Sequence, residues 1–276
     1  VISIKIAGNT YYPKTFLFPG GEVSVKLPSN MPDVIIDSEV MIKAKIKNSN
    51  DLMELLLVKN TLDVKYGAIR QSLVIPYLPY ARQDRVCNEG ESLSIKVIAN
   101  LINSMKFNRV VTYDNHSDVS TALIDNCRNR APETLMDRSS AIRAVLGDLT
   151  TSICCPDAGA AKKIYSVSKA FGGVPILMAD KVRDVKTGEI THTSVSCEEL
   201  HGKSIMVVDD ICDGGLTFIK LAEKLKEKGA GYLYLYVTHG IFSKGMECLN
   251  IYDHIFTTDS YAEIEDKSEK LTVIKI

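Results

Sequence analysis

The sequence predicts an α/β fold, on three observations. The clearest is the stretch 205–230, IMVVDDICDGGLTFIKLAEKLKEKGA. Ile205, Met206, Val207 and Val208 read as a buried strand, Asp209 and Asp210 as an acidic tip, and Asp213, Gly214 and Gly215 as a short loop. From Thr217 apolar residues at Phe218, Leu221, Ala222 and Leu225 fall at helical spacing, and Gly229 is the stop. The second observation is recurrence: the same order of apolar run, polar loop and helical spacing follows 73–75 and 152–155. The third is the length of 276 residues, which suits one large or two ordinary domains.

Taken in order, Ile2, Ile4 and Ile6 alternate with other residues and open the chain as a strand. In 16–27, FLFPGGEVSVKL, a Pro-Gly-Gly turn precedes the alternation Val23, Val25, Leu27, the pattern of a hairpin. The segment 34–46 carries the apolar residues of a core strand, and 50–64 is a helix with Asn50 as its cap. Leu73-Val74-Ile75 is a buried strand ending in Pro76, 94–104 a helix and 109–113 the next strand. The polar stretch 125–143, which holds Pro132, reads as a domain boundary near Asp137. Beyond it, 152–155 is a short strand, a helix runs through Phe171, and 176–179 is a strand ending in Asp180. KVRDVKTGEITH, at 181–192, is polar and reads as a mobile hairpin with Thr187-Gly188 at its tip. Strands at 232–238, 251–259 and 271–276 close the sheet.

Composition excludes several classes of function. With 45% hydrophobic and 24% charged residues the chain reads as a soluble globular protein. A formal net charge of −1 gives no basis for general nucleic-acid binding. No apolar run approaches membrane-spanning length, and no signal peptide is recognisable. Seven cysteines without a paired CxxC, two of them adjacent at Cys154 and Cys155, suit neither a disulfide framework nor a zinc site; reduced thiols in a cytoplasm are the expectation.

Ligands of open α/β sheets bind outside the carboxyl ends of the strands. A glycine loop feeding a helix offers N–H groups to a phosphate. Paired carboxylates would repel phosphate, so Asp209 and Asp210 are better suited to sugar hydroxyls or to a metal. Turns with Asp and Gly are common in α/β proteins, but this combination reads as a sugar-phosphate site. Gly202-Lys203-Ser204 is no Walker A, because the earlier glycine that motif requires is Cys197. Arg82 and Arg85, in a loop after a strand, read either as a solvated charged loop, the usual case for a bare RQDR, or as a polyphosphate clamp, since guanidinium bonds phosphate oxygens in pairs. His116 stands at a strand end with Asp114 and Asp118 two residues either side.

VVDDICDGGLT, at 207–217, resembles the phosphoribosyl-pyrophosphate loop of type I phosphoribosyltransferases and of ribose-phosphate pyrophosphokinases. PYLPYARQDR, at 76–85, resembles the ATP-binding loop of the pyrophosphokinases, which simple phosphoribosyltransferases do not carry. Further motifs follow in family order. Phe18 and Glu22 match the segment that contacts the ATP base, with Gly20 where the family has Asp. Asp114-Asn115-His116-Ser117 matches Asp-Leu-His-Ala, and Cys155-Pro156-Asp157-Ala158-Gly159 matches Ser-Pro-Asp-x-Gly. Lys181 and Arg183 have the spacing of the family's flexible loop, and THGIFS at 238–243 is also similar. The family usually continues into a further C-terminal helix, which is not found before Ile276.

The resemblance implies two phosphoribosyltransferase-like α/β domains, 1–137 for ATP and 138–276 for the ribose phosphate. Each is a mainly parallel sheet flanked by helices, with the active site between them. It implies attack of the anomeric hydroxyl of ribose 5-phosphate on the β-phosphorus of ATP, with magnesium as cofactor and AMP as leaving group. Phe18, Gly20, Glu22, Arg82, Gln83 and Asp84 then belong to the ATP site, and His116 and Asp157 place metal. Asp209 and Asp210 hold ribose hydroxyls, while Asp213, Gly214, Gly215, Leu216 and Thr217 hold the 5-phosphate. Lys181 and Arg183 neutralise charge as it moves onto AMP. The family forms homo-oligomers, dimers or hexamers. Where this chain has Gly214 and Leu216, family loops read Asp-Thr-Gly-Gly-Thr. A cradle with fewer hydroxyls leaves open an acceptor esterified at its 5-phosphate, such as ADP-ribose. The motifs also leave room for a plain phosphoribosyltransferase, which would consume phosphoribosyl pyrophosphate, and for a non-catalytic regulatory homologue.

Overall fold

Runs of Ile, Val and Leu separated by helical segments cannot pair as hairpins; they pair in parallel through crossovers. A computed structural model of the chain describes residues 1–34, 38–67, 69–183, 190–264 and 268–276, with backbone only at 181–183 and 190–193. It divides into Val1–Arg130 and Ala131–Ile276, a few residues before the boundary expected near Asp137.

The first unit runs β1 (Ile2–Ile6), β2 (Asn9–Tyr11), β3 (Lys14–Leu17), β4 (Val23–Lys26), β5 (Glu39–Ala44), α1 (Ser49–Tyr66), β6 (Arg70–Ile75), α2 (Ser94–Ser104), β7 (Arg109–Tyr113), α3 (Asp118–Leu123) and β8 (Cys127–Arg130). Six strands form one sheet in the order β2-β1-β5-β6-β7-β8, while β3 and β4 pair only with each other. From β5 to β8 the pairing is parallel, and β1 lies antiparallel to both β2 and β5. Ile4, Ile42, Leu73 and Val110 meet Leu55, Leu62, Ile95 and Ile102 of the helices in one core. The β3–β4 hairpin, exposed along all of β3, is fastened to α1 by Thr15 Oγ1 donating to Glu54 Oε1 at 2.6 Å.

The second unit runs α4 (Glu133–Met136), α5 (Ser140–Gly147), β9 (Thr151–Cys155), α6 (Ala161–Ala170), β10 (Ile176–Arg183), β11 (Ile190–Val195), β12 (Ser204–Cys212), α7 (Leu216–Glu227), β13 (Leu233–Gly240), β14 (His254–Thr258) and β15 (Leu271–Ile274). Its seven-stranded sheet has the order β11-β10-β9-β12-β13-β14-β15, and only β11 runs antiparallel. Buried residues on its two faces form separate cores, one around Leu221 and Leu235 and one around Ile164 and Tyr236. Both units are thus mainly parallel sheets flanked by helices, the predicted class.

Three local expectations change. The strand read as 205–208 continues through Asp209, Asp210 and Ile211 to Cys212, because β13 supplies parallel partners up to Gly240. The acids therefore lie within a strand and are not a loop tip. The segment 125–143, read as a polar boundary, holds β8, α4 and the start of α5. The cap of α1 is Asn48 and not Asn50. Asn48 Oδ1 accepts Asp51 N at 3.0 Å, and Asp51 Oδ2 accepts Asn48 N in return, a reciprocal capping box. Asn48→Ala is expected to lower unfolding stability in urea by about 1 kcal/mol, and Asn50→Ala to leave it nearly unchanged; equal losses would contradict the assignment.

Candidate active site

In the second unit the carboxyl ends of neighbouring parallel strands collect the acids. Asp157 follows β9, Asp180 lies in β10, and Asp209 and Asp210 lie near the end of β12. Burial pushes the Cys155 thiol up to about 11, against its hydrogen bond to the Asp157 backbone and with smaller help from the charges of Asp157, Asp209 and Asp180. At neutral pH it is a thiol, donating to Asp157 O at 3.0 Å. Asp157 Oδ1 accepts Ala160 N at 3.1 Å, which caps the 3-10 turn leading into α6. From α6, Lys163 Nζ comes within 3.6 Å of Asp210 Oδ1, and both side chains are largely buried. Asp209 keeps some exposed surface, yet protein crowds its carboxyl. Desolvation first, and the Asp210 charge next, raise it well above the usual carboxylate range, with Lys163 acting in the opposite direction.

The turn after β12 is fixed from outside. Cys212 O accepts the amides of Ile241 at 2.9 Å and Phe242 at 3.1 Å. Ser243 grips Asp213 twice, its N on the carbonyl at 3.2 Å and its Oγ on Oδ1 at 2.6 Å. Gly215 has φ 79°, and an added Cβ would sit 3.3 Å from Cys248 Sγ and Leu249 Cδ2, so glycine is required there. Gly215 then caps α7 without any side-chain bond, its carbonyl accepting the amides of Phe218 and Ile219, each at 3.0 Å. Leu216, the first residue of that helix, is 55% exposed.

In the first unit the loop between β6 and α2 carries Arg82, Gln83 and Asp84. Gln83 N donates to Tyr80 O at 3.0 Å, Gln83 O accepts Ile95 N at 3.3 Å, and its side-chain oxygen accepts from Ser94 Oγ. Tyr80 holds a left-handed φ of 61° to make this turn. Arg82 is exposed beyond it. Asp84 is buried; Arg85 Nε donates to it at 3.0 Å and holds it below the usual carboxylate range, against burial and with smaller help from Ser117 and His116. Ser117 Oγ itself is buried without a partner in hydrogen-bond geometry, so its help is that of a nearby dipole. Asp84 thus joins the 76–93 loop to the loop after β7, where His116 is exposed. Phe18, Gly20 and Glu22 are exposed on the β3–β4 turn, which closes through Phe18 N to Glu22 O at 2.9 Å. Phe16 and Phe18 meet edge to face with ring centroids 5.1 Å apart.

A protein-family model of the N-terminal domain of ribose phosphate pyrophosphokinase matches residues 6–105, and a phosphoribosyl transferase domain matches 139–265. The ribose-phosphate pyrophosphokinase of Vibrio parahaemolyticus is 32% identical over 255 residues, covering 88% of this chain and 76% of the relative. This chain belongs to the ribose-phosphate pyrophosphokinase family of enzymes. The Cereibacter sphaeroides ribose-phosphate pyrophosphokinase is 36% identical over 199 residues, 71% of this chain but only 57% of that protein. A phosphoribosylpyrophosphate synthetase of Mycobacterium smegmatis shares the fold, with TM-score 0.81 over 96% of this chain and 86% of that one at 24% identity.

Of the residues expected from the pyrophosphokinase family, the structure gathers Asp157, Asp209 and Asp210 at one sheet end. It places Asp213, Gly214, Gly215, Leu216 and Thr217 in the adjoining turn, and Asp84 beside His116. Lys181 and Arg183 pair along the backbone with Thr193 and Ile190, but their side chains lie outside the described residues, as does the hairpin tip at 184–189. Sequence reasoning missed Lys163. Lys163 lies six residues past Asp157, across the 3-10 turn and into α6, a placement readable only once α6 is placed. Asp209 gives a test of the electrostatics. A carboxyl raised in the folded state favours folding while protonated, so its contribution is lost as pH climbs above the ordinary 3.8. Asp209→Asn should raise the thermal midpoint by about 2 °C or more at neutral pH, with the gain vanishing below about pH 3.5. A lower midpoint at neutral pH would contradict the raised value.

Proposed function

We propose that this chain transfers the β,γ-diphosphoryl group of ATP to the anomeric hydroxyl of ribose 5-phosphate, giving phosphoribosyl pyrophosphate, AMP and a proton. The observation that carries this reading is the β12 exit: a raised carboxyl beside an ion-paired one, followed at once by a helix-capping glycine turn held open by Ser243. Asp209 accepts hydrogen bonds from ribose hydroxyls, and Asp210 beside it is paired with Lys163. The 213–217 turn takes the 5-phosphate on its amides. Arg82 and Gln83 hold the triphosphate, with the guanidinium pairing phosphate oxygens. Lys181 and Arg183 neutralise the charge that grows on AMP as the P–O bond breaks. Alignment and charge neutralisation supply most of the acceleration, as in other phosphoryl transfers.

Among the described residues no three His, Cys, Asp or Glu side chains come together as a metal site. In this reading magnesium is carried largely by phosphate oxygens and water, with His116 at the metal of Mg-ATP and Asp157 near a second magnesium. Magnesium would supply charge neutralisation of the triphosphate. The family's homo-oligomeric assembly and a cytoplasmic location belong to the same reading, as does a functional division near Asp137.

A second reading rests on Leu216. Its exposed apolar side chain at the head of α7, beside a glycine at 214, leaves the cradle fewer hydroxyls and room for an acceptor esterified at its 5-phosphate, such as ADP-ribose. Phosphorus NMR of ATP, magnesium and each acceptor separates these. The first reading expects equimolar AMP and a new sugar diphosphate from ribose 5-phosphate. ADP as product, or no turnover with either acceptor, would refute both. Lys181→Ala should cut turnover about 10²-fold or more with ATP affinity little changed; near-normal turnover would remove Lys181 from the mechanism.

A further inference from the structure

The turn that follows β13 does more than brace the cradle. Its hydrogen bonds to Cys212 O, Asp213 O and Asp213 Oδ1 fix residues 241–243 against the 212–213 backbone. Phe242 takes a left-handed φ of 47° to make the approach, and Gly245, at φ 78°, returns its N–H to Phe242 O at 2.9 Å. The residue between these fixed points is Lys244. Its methylenes lie across Gly214: a Cβ built there would be 3.9 Å from Lys244 Cε and 4.0 Å from Cδ. Lys244 is exposed, and among the described residues it makes no ion pair or hydrogen bond. An ammonium is therefore delivered to the lip of the 213–217 turn by a rigid support, with no acid of its own.

Resting on the reading of 213–217 as the acceptor's phosphate cradle, we infer that Lys244 binds the acceptor's 5-phosphate and makes the site selective for a phosphate monoester dianion over a singly charged diester. The turn has backbone amides and the Thr217 hydroxyl as donors, and Gly214 contributes no side chain. Lys244 supplies the missing charge from a neighbouring segment. The lysine stem passes the Cβ position of Gly214 at ordinary van der Waals distance. A monoester gains its second charge near pH 6, so an ammonium at the cradle couples acceptor affinity to that ionisation. This weighs against the esterified acceptor.

Calorimetric titration of the full chain with ribose 5-phosphate tests the assignment without requiring turnover. Lys244→Ala should weaken binding about tenfold, the loss of one charge-assisted hydrogen bond, while Lys244→Arg stays within about threefold. Wild-type affinity should rise between about pH 5.5 and 7.5, and Lys244→Ala should flatten that rise. The variant should also narrow the preference for ribose 5-phosphate over ADP-ribose. ATP affinity and thermal midpoint serve as controls and stay unchanged. Wild-type binding with Lys244→Ala within twofold at every pH overturns the inference, as does failure of the wild type to bind ribose 5-phosphate. Weakened binding in the variant without AMP formation by the wild type sustains Lys244 and refutes the proposed reaction.

Discussion

Parallel pairing of β12 with β13 continues past the apolar core, through Asp209 with Val237, Ile211 with His239 and Cys212 with Gly240. The rest of the candidate site in the second unit depends on that extension. It carries two carboxylates into a strand, where the backbone cannot relax them toward water. It also brings the exits of both strands side by side, so that Cys212 O and Asp213 can be bonded by Ile241, Phe242 and Ser243. Each such bond contributes about 1 kcal/mol net, a modest sum whose larger effect is geometric. The glycine turn enters α7 through Gly215, at φ 79°, whose carbonyl takes the amides of Phe218 and Ile219.

Placing carboxyls there costs stability, and the surroundings show how the cost is limited. Lys163 from α6 answers Asp210, burial keeps Cys155 as a neutral thiol, and Asp157 spends one oxygen on the Ala160 amide. A local rule is broken where a charged pair interrupts a buried strand, and such breaks are expected at functional sites. The first unit has a parallel case. Asp84 is buried but ion-paired with Arg85, and the loop it anchors leaves Arg82 exposed.

Most of the architecture was legible because it rests on apolar runs with clear periods: 94–104 and 109–113 match α2 and β7 at both ends. The end of β12 was not, since Asp209 and Asp210 are poor strand formers and only their pairing with β13 keeps them extended. Edge strand β8, CRNR, was missed because an exposed polar strand has no hydrophobic alternation to read. The α1 cap was misplaced by two residues because Asn48 and Asn50 are equally good caps in sequence, and Asp51 at the third helical position decides between them. Within the site, the glycine turn and the acids were readable from one stretch. Lys244 was not, because it reaches Gly214 from a segment thirty residues away in sequence.

The central claim is that the turn between β12 and α7 is a phosphate cradle whose grip comes from backbone amides. Amide nitrogen and proton shifts of isotope-labelled protein, followed while ribose 5-phosphate is added, test it most directly. The account predicts saturating shifts at Gly214, Gly215, Leu216 and Thr217, absent with ribose alone. Saturable binding that leaves those four amides unmoved would contradict it.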